Sequence, residues 1–180
     1  MKPTFLIFGR PRSRTAWLAN FLTYRNSICL HEGLADSLGN WDVLASRLEA
    51  QDAEVVGNAD TGMIHWVDEA LERYPDAPMV LLESNGKRWR QYVTEQGWPE
   101  FLITDVNSNY RRARRMLEGR ENVLCVDVEK IPGNEAVVNV ITAHCGVRFS
   151  YNRWRFLKDL NVQVSLPALK QRVERALEKG

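Results

Sequence analysis

The sequence predicts an α/β fold in which a central, mostly parallel β-sheet is flanked by helices in three layers. Short apolar runs occur at 5–8, 27–30, 53–57, 78–83 and 122–126. Runs of this kind are typical of strands that are buried on both faces of a parallel sheet. Segments with helical spacing separate the runs, and this alternation of strand and helix is the pattern of α/β domains.

Composition and length favour one domain, residues 1–180, because 44% of the residues are hydrophobic and 26% are charged. The net charge of +1 does not indicate a nucleic-acid or membrane partner. The 24 basic residues are 18 arginines and 6 lysines, a ratio that favours bidentate contacts to oxyanions. No apolar run approaches the length of a membrane span or resembles a signal peptide, so we expect a cytoplasmic protein.

The three cysteines are odd in number and lack C-x-x-C spacing. This pattern argues against a disulfide framework or a zinc site. We expect each of them, Cys29, Cys125 and Cys145, to be a buried thiol.

The first strand leads into a loop rich in arginine and hydroxyl groups, Gly9-Arg10-Pro11-Arg12-Ser13-Arg14-Thr15. The apolar spacing after this loop predicts a helix of about three turns that begins at Ser13 or Arg14. Free N–H groups at a helix N-terminus and guanidinium groups both bind tetrahedral oxyanions. The loop is therefore predicted to be an anion site.

The loop differs from the P-loop that binds nucleoside triphosphates, G-x-x-x-x-G-K-[ST]. Residues 9–16 keep the first glycine but end in Arg14, Thr15 and Ala16. The lysine is absent, and Ala16 has no hydroxyl group for Mg²⁺. The loop thus favours a phosphate or sulfate donor that is bound without a metal.

The segment 11–18, PRSRTAWL, resembles the 5′-phosphosulfate loop of the P-loop sulfotransferases, whose usual form is P-[KR]-S-G-T-[TS]-[WFL]-L. The resemblance implies that 3′-phosphoadenosine-5′-phosphosulfate is the donor and that Arg12 contacts the transferred sulfuryl group and the bridging oxygen. It also implies that the loop and the start of the helix hold the 5′-phosphate. The donor-binding residues expected here are Gly9, Arg10, Pro11, Arg12, Ser13, Arg14, Thr15, Ala16 and Trp17.

The sequence departs from the family pattern in two regions, the loop and the segment that binds the 3′-phosphate. Arg14 stands where the family has glycine, and Ala16 stands where it usually has a second hydroxyl. In the family, the strand that corresponds to 78–83 ends in an arginine. This arginine binds the 3′-phosphate together with a serine of the next helix. Glu83 and Gln91 stand near those positions in this sequence. Nearby side chains could compensate, and we expect Ser84 and Arg88, with Lys87 and Arg90 close by, to bind this end of the donor.

The second strand ends in His31-Glu32-Gly33, at the edge of the sheet where ligands bind in open α/β folds. Sulfuryl transfer to a hydroxyl group needs a base, and the resembling enzymes use Glu or His. We expect Glu32, or else His31, to be that base. Because side chains alternate along a strand, only one of the two should face the loop. A carboxylate beside Arg12 would also have a lowered pKa.

The third strand opens into Asn58-Ala59-Asp60-Thr61-Gly62. Asp-Thr-Gly is also the signature of aspartic proteases, but those sites pair two such loops on an all-β scaffold, and the flanking segments here have helical spacing. We expect Asp60 or Thr61 to cap a helix at 63–74, with Asn58 and Asp60 near His31.

Helical spacing also predicts helices at 37–48, 86–92, 105–117, 134–144 and 168–177. The first of these covers one edge of the site, as an acceptor-binding or a structural helix. The third carries a basic run on what should be a solvated face, and Gly146 suits the C′ position after the fourth. Aromatic and basic residues follow at 151–156. The resemblance implies that Arg153, Trp154 and Arg155 close over the adenine and the 3′-phosphate. The alternative is that Trp154 and Phe156 pack against a helix.

The favoured function is transfer of a sulfuryl group from 3′-phosphoadenosine-5′-phosphosulfate to a hydroxyl or amine of a small-molecule or glycan acceptor, without a metal. Two alternatives stay open: a P-loop nucleotide kinase or phosphohydrolase, and a non-catalytic nucleotide- or anion-binding protein that retains the loop. A homodimer is compatible with the sequence.

Overall fold

The computed structural model describes residues 2, 4–131 and 133–160, so the helix predicted at 168–177 lies outside the described residues. The described residues form a five-stranded sheet with the strand order β2-β3-β1-β4-β5, and every pair of neighbouring strands is parallel. The strands are β1 (Thr4–Gly9), β2 (Ser27–His31), β3 (Val55–Asp60), β4 (Met79–Glu83) and β5 (Val123–Asp127). The predicted parallel-sheet α/β fold is confirmed.

Helices cover both faces of the sheet. The α-helices are α1 (Thr15–Leu22), α2 (Trp41–Glu49), α3 (Val67–Arg73), α4 (Gly86–Glu95), α5 (Glu100–Leu117), α6 (Glu135–His144) and α7 (Tyr151–Leu157). One hydrophobic cluster contains side chains of α2, α3, α4 and α5, and a second contains side chains of α1, α6 and α7. Along β1, Leu6 and Phe8 belong to the first cluster and Phe5 and Ile7 to the second, as the alternation of a strand requires. The layers are therefore helix, sheet, helix.

Several element boundaries differ from the prediction. α1 begins at Thr15 and has two turns, because Arg12 and Arg14 are both in the left-handed region. α2 begins after Asn40, whose side chain accepts hydrogen bonds from two N–H groups of the first turn. The helix predicted at 63–74 is split into a 3₁₀ turn, Gly62–His65, and α3. α5 begins five residues earlier than predicted, after Pro99.

The predictions for Gly146 and for the three cysteines have different outcomes. Gly146 follows α6 with a φ of 67°, the left-handed conformation that suits glycine at C′. Cys29 and Cys145 are buried as expected, and burial raises the pKa of both thiols. Cys125 is exposed, contrary to the prediction, because it lies on the edge strand β5.

Among the described residues, no helix is long and apolar enough to span a membrane.

Candidate active site

A cleft of about 650 Å³ opens where the strands end at their carboxyl side. The β1–α1 loop forms its floor with Pro11, Arg12 and Arg14, and the first turn of α1 continues it. The ends of β2 and β3 form one wall, and the end of β4 with α4 forms the other. The structure therefore brings the predicted anion loop and the predicted bases into one cleft.

The floor of the cleft is a strained loop. Arg12 and Arg14 each have a φ of 69°, which is unfavourable for a residue with a side chain by about 1–2 kcal/mol. Arg14 is the N-cap residue of α1, and its side chain makes no capping hydrogen bond. The left-handed backbone at Arg14 explains why the family pattern has glycine here.

The hydroxyl group of Ser13 lies beneath this loop. Ser13 is fully buried, and its Oγ has no hydrogen-bond partner among the described residues. A buried polar group without a partner costs about 1–3 kcal/mol, so this hydroxyl lowers the stability of the free protein. Gly9 must lack a side chain, because a Cβ there would collide with Ser13 Oγ.

The N-terminus of α1 completes an anion cradle. Thr15 and Ala16 line the cleft, and the first turn contains no acidic residue. The N–H groups of a first helical turn have no intrahelical acceptor, and the helix dipole adds positive potential. The loop arginines and this helix end can therefore hold a tetrahedral anion.

Arg10 belongs to the support of the cleft rather than to its surface. Arg10 is 5% exposed, and its guanidinium group stacks on Tyr110 at 3.7 Å from the ring centroid. Nη1 donates to Ser84 O at 3.2 Å and to Ser84 Oγ at 3.1 Å. Because Ser84 Oγ accepts from Arg10, its own proton is free to be donated into the cleft, which Ser84 lines.

His31 and Glu32 both line the cleft, contrary to the prediction that only one would. Glu32 has a φ of 56°, so the extended geometry ends before it and the expected alternation of side chains fails. His31 Nε2 lies 3.3 Å from Thr15 Oγ1 and 3.4 Å from Glu32 Oε1. The two candidate bases therefore stand side by side at the edge of the anion cradle.

The protonation of this pair is set by burial. Desolvation and the nearby Asp60 carboxylate raise the pKa of Glu32 to about 8, so the expectation that Arg12 would lower this pKa is wrong. Desolvation lowers the pKa of His31, although Asp60 and Asp36 oppose this. At neutral pH the imidazole is mostly neutral and the Glu32 carboxyl group mostly carries its proton.

Asp60 ties the ends of β2 and β3 together. It is fully buried, and its Oδ2 accepts hydrogen bonds from Leu34 N at 2.7 Å, Ala35 N at 3.0 Å and Asn58 Nδ2 at 3.3 Å. Its Oδ1 accepts from Gly62 N at 2.6 Å, but the N-cap residues of the 3₁₀ turn and of α3 are Thr61 and Trp66, and neither side chain makes a capping hydrogen bond. Asp60 thus fixes the turn that follows Glu32.

On the opposite wall, the Glu83 carboxylate is paired with a basic side chain. Arg114 of α5 lies 3.1 Å from the Glu83 carboxylate and pairs with it. Ser84 and Arg88 line the cleft, together with Asn85, which caps α4. Glu83 therefore does not face the cleft as an unpaired carboxylate, and hydroxyl and guanidinium groups surround this end.

Sequence reasoning missed an aromatic group on the same wall. Trp89, Tyr92 and Trp98 line the cleft, and the Trp89 indole donates to Pro11 O at 2.9 Å. Trp89 and Trp98 contact edge to face, with ring centroids 6.4 Å apart. The spacing of Trp89 and Tyr92 on a helix after a strand end was the signal that could have identified this wall. Flat side chains of this kind suit stacking against a ring.

Seven predicted donor-binding residues do not line the cleft: Gly9, Arg10 and Ser13 beneath it and, farther away, Trp17, Arg153, Trp154 and Arg155. Arg153 donates to Asn20 O and Phe21 O, at the end of α1 that points away from the cleft. Trp154 of α7 is buried in the core, and Arg155 is exposed on the same helix. The Trp17 side chain is fully buried, and its indole donates to Leu157 O at 2.9 Å. These side chains do not line the cleft, because α7 packs along α1 on one face of the sheet.

No group of three or more His, Cys, Asp or Glu side chains in the described part of the chain is arranged to hold a metal ion.

Comparisons with known proteins identify the fold. No protein-family model matches the sequence, and no curated protein sequence matches it. The structure is similar to a sulfotransferase from Alicyclobacillus acidocaldarius, with a TM-score of 0.62, 14% identity, and coverage of 95% of this chain and 90% of that one. It is also similar to mouse sulfotransferase SULT7A1 complexed with PAP, with a TM-score of 0.52, 11% identity and coverage of 87% of this chain.

This chain spans 62% of the mouse protein. The two likenesses show the fold, so the chain has the sulfotransferase-like P-loop fold that the PRSRTAWL segment predicted.

Proposed function

We propose that this protein transfers a sulfuryl group from 3′-phosphoadenosine-5′-phosphosulfate to a hydroxyl or amine group of a small-molecule or glycan acceptor. One observation carries the proposal: the loop arginines and the N-terminus of α1 line the same cleft as two adjacent titratable groups, His31 and Glu32. An anion cradle alone would suit a binding protein. An anion cradle with a base beside it suits group transfer.

In the proposed reaction, the acceptor oxygen or nitrogen forms a bond to sulfur while the bond between sulfur and the bridging oxygen of the donor breaks. The proton of the acceptor passes to Glu32, or else to His31, and the other product is 3′-phosphoadenosine-5′-phosphate. Arg12 stabilises the negative charge that develops on the bridging oxygen. Ser13 and the N–H groups at the start of α1 hold the 5′-phosphate.

The donor is proposed to lie toward β4, because the proton acceptors occupy the β2 and β3 side of the cleft. Ser84 and Arg88 would contact the 3′-phosphate, with Arg114 neutralising Glu83 behind them. The purine ring would stack on the aromatic wall formed by Trp89, Tyr92 and Trp98. This arrangement replaces the contacts to Arg153, Trp154 and Arg155 that the resemblance implied.

Calorimetric titration with 3′-phosphoadenosine-5′-phosphate, ATP and free sulfate tests the donor. Tight binding of the first ligand alone supports the proposal, and equal binding of ATP with turnover in Mg²⁺ would point to a kinase or phosphohydrolase instead. Transfer of labelled sulfate from the donor to a panel of hydroxyl and amine acceptors tests the activity. Tight binding without transfer to any acceptor would favour the non-catalytic alternative.

A further inference from the structure

We infer that Asp60 and Thr61 are positioning residues: Thr61 holds the Glu32 carboxyl group at the cleft through hydrogen bonds, and Asp60 fixes the turn after Glu32 and places a second carboxyl group beside it. The inference rests on the proposed function in assigning Glu32 to the acceptor's proton. It gives a role at the cleft to the Asp-Thr-Gly segment at the end of β3, which the sequence predicted only to cap a helix.

Thr61 holds the carboxyl group directly. Its Oγ1 donates to the Glu32 carboxylate at 3.0 Å, and its backbone N–H lies 3.3 Å from both carboxylate oxygens. Glu32 has a left-handed backbone that a glutamate seldom adopts, so its side chain needs contacts that fix it. The contacts from Thr61 supply this restraint, and they favour the ionised form of Glu32.

Asp60 acts on the same group from behind. Its four hydrogen bonds include those from Leu34 and Ala35, the two residues after Gly33, so it fixes the chain where Glu32 turns into the cleft. Glu32 therefore has a second carboxyl group beside it, whose charge disfavours the Glu32 anion, so Glu32 keeps its proton to higher pH.

The other titratable groups that face Glu32 do not reverse this balance. His31 of β2 lies 3.4 Å away and is mostly neutral, since burial lowers its pKa. Asp36, in the turn after Glu32, adds negative charge near His31. Arg12 and Arg14 line the cleft from the β1–α1 loop, and they do not bring the pKa of Glu32 down to its ordinary value. Asp60 is therefore the charge to remove in a test.

The test measures the titration of Glu32 by NMR of the ¹³C-labelled carboxyl group, in the wild type and in the variants Asp60→Asn, Thr61→Val and Thr61→Ser. Asn keeps the shape of Asp60 but removes its charge, so the midpoint should fall by at least about one pH unit. Val removes only the Thr61 hydroxyl group, so the midpoint should rise. Ser restores that hydroxyl and should return the midpoint to the wild-type value.

Shifts in opposite directions would support the inference, because a general loss of structure would move both variants the same way. A wild-type midpoint near the ordinary value of 4.5, or no shift in either variant, would overturn it. If Asp60→Asn does not fold, an unshifted midpoint in Thr61→Val overturns the inference alone. Opposite shifts in a protein that transfers no sulfuryl group would overturn the proposed function and leave the inference standing.

Discussion

The pH dependence of turnover distinguishes the two bases, because the structure reverses the order of their pKa values. Burial raises the pKa of Glu32 to about 8 and lowers that of His31 below its ordinary value of 6.5. A base acts only in its deprotonated form, so a Glu32 base should make the rate rise about tenfold per pH unit up to about pH 8. At about pH 6 the rate should be near 1% of its plateau. A His31 base would already be deprotonated at neutral pH, so the rate would be flat there.

The assay is single-turnover sulfuryl transfer from about pH 5.5 to about pH 9.5, with saturating donor, for the wild type, Glu32→Gln and His31→Asn. Glu32→Gln should cut turnover by about 10²-fold or more and remove the rise near pH 8, with donor affinity nearly unchanged. His31→Asn should cost much less and keep the rise. A flat wild-type profile with the reverse ranking would transfer the role to His31, and near-wild-type turnover in both variants would remove this strand end from the mechanism.

Four further outcomes are expected. Arg12→Ala should weaken binding of 3′-phosphoadenosine-5′-phosphate by roughly 1.5–3 kcal/mol in calorimetry, while Arg155→Ala on α7 should leave it unchanged; equal binding in both would exclude Arg12 from the site. Arg14→Gly should raise the melting temperature by about 1–4 °C, since relief of left-handed strain exceeds the entropy cost of glycine. Arg25→Gly, in an exposed turn with a φ of 56°, should give a similar gain without the loss of anion affinity expected at Arg14. Donor binding should be unchanged in EDTA, and a large loss there would return the loop to triphosphate chemistry. The free energy of unfolding, measured by chemical denaturation, should fall as pH rises from about 4.5 to about 8. Over this range folded Glu32 keeps its proton while the unfolded chain loses it. The fall should be smaller in Glu32→Gln.

The fold was predictable because its signals are local. Each of the five apolar runs became a strand, and the loop after the first run carried both the helix start and the anion chemistry. Helix boundaries were less predictable, since contacts such as the Asn40 cap of α2 determine where a helix begins. The site was predictable where it follows strand ends, as at His31 and Glu32, whose position depends on topology alone.

The rest of the site depends on tertiary contacts that spacing does not encode. The alternation rule failed at Glu32 because one left-handed residue redirects its side chain, and the sign of its pKa shift depended on Asp60, 28 residues later in the chain. Glu83 looked unfavourable until α5 placed Arg114 beside it. Arg153 was assigned to a ligand by analogy, but it caps the far end of α1.

The strain in this protein is concentrated in the cleft. Arg12, Arg14 and Glu32 are three of the five described non-glycine residues with positive φ, and Ser13 is one of the two described residues that have a buried side-chain atom without a partner. Each of these features costs stability in the free protein, and a loop selected only to cap α1 would avoid them by placing glycine and a capping side chain there. Unfavourable features persist where the surrounding structure fixes them and a function requires them. Their shared location at the anion cradle therefore argues for a ligand site that was retained, and the Glu32 carboxyl group beside it argues for chemistry on that ligand.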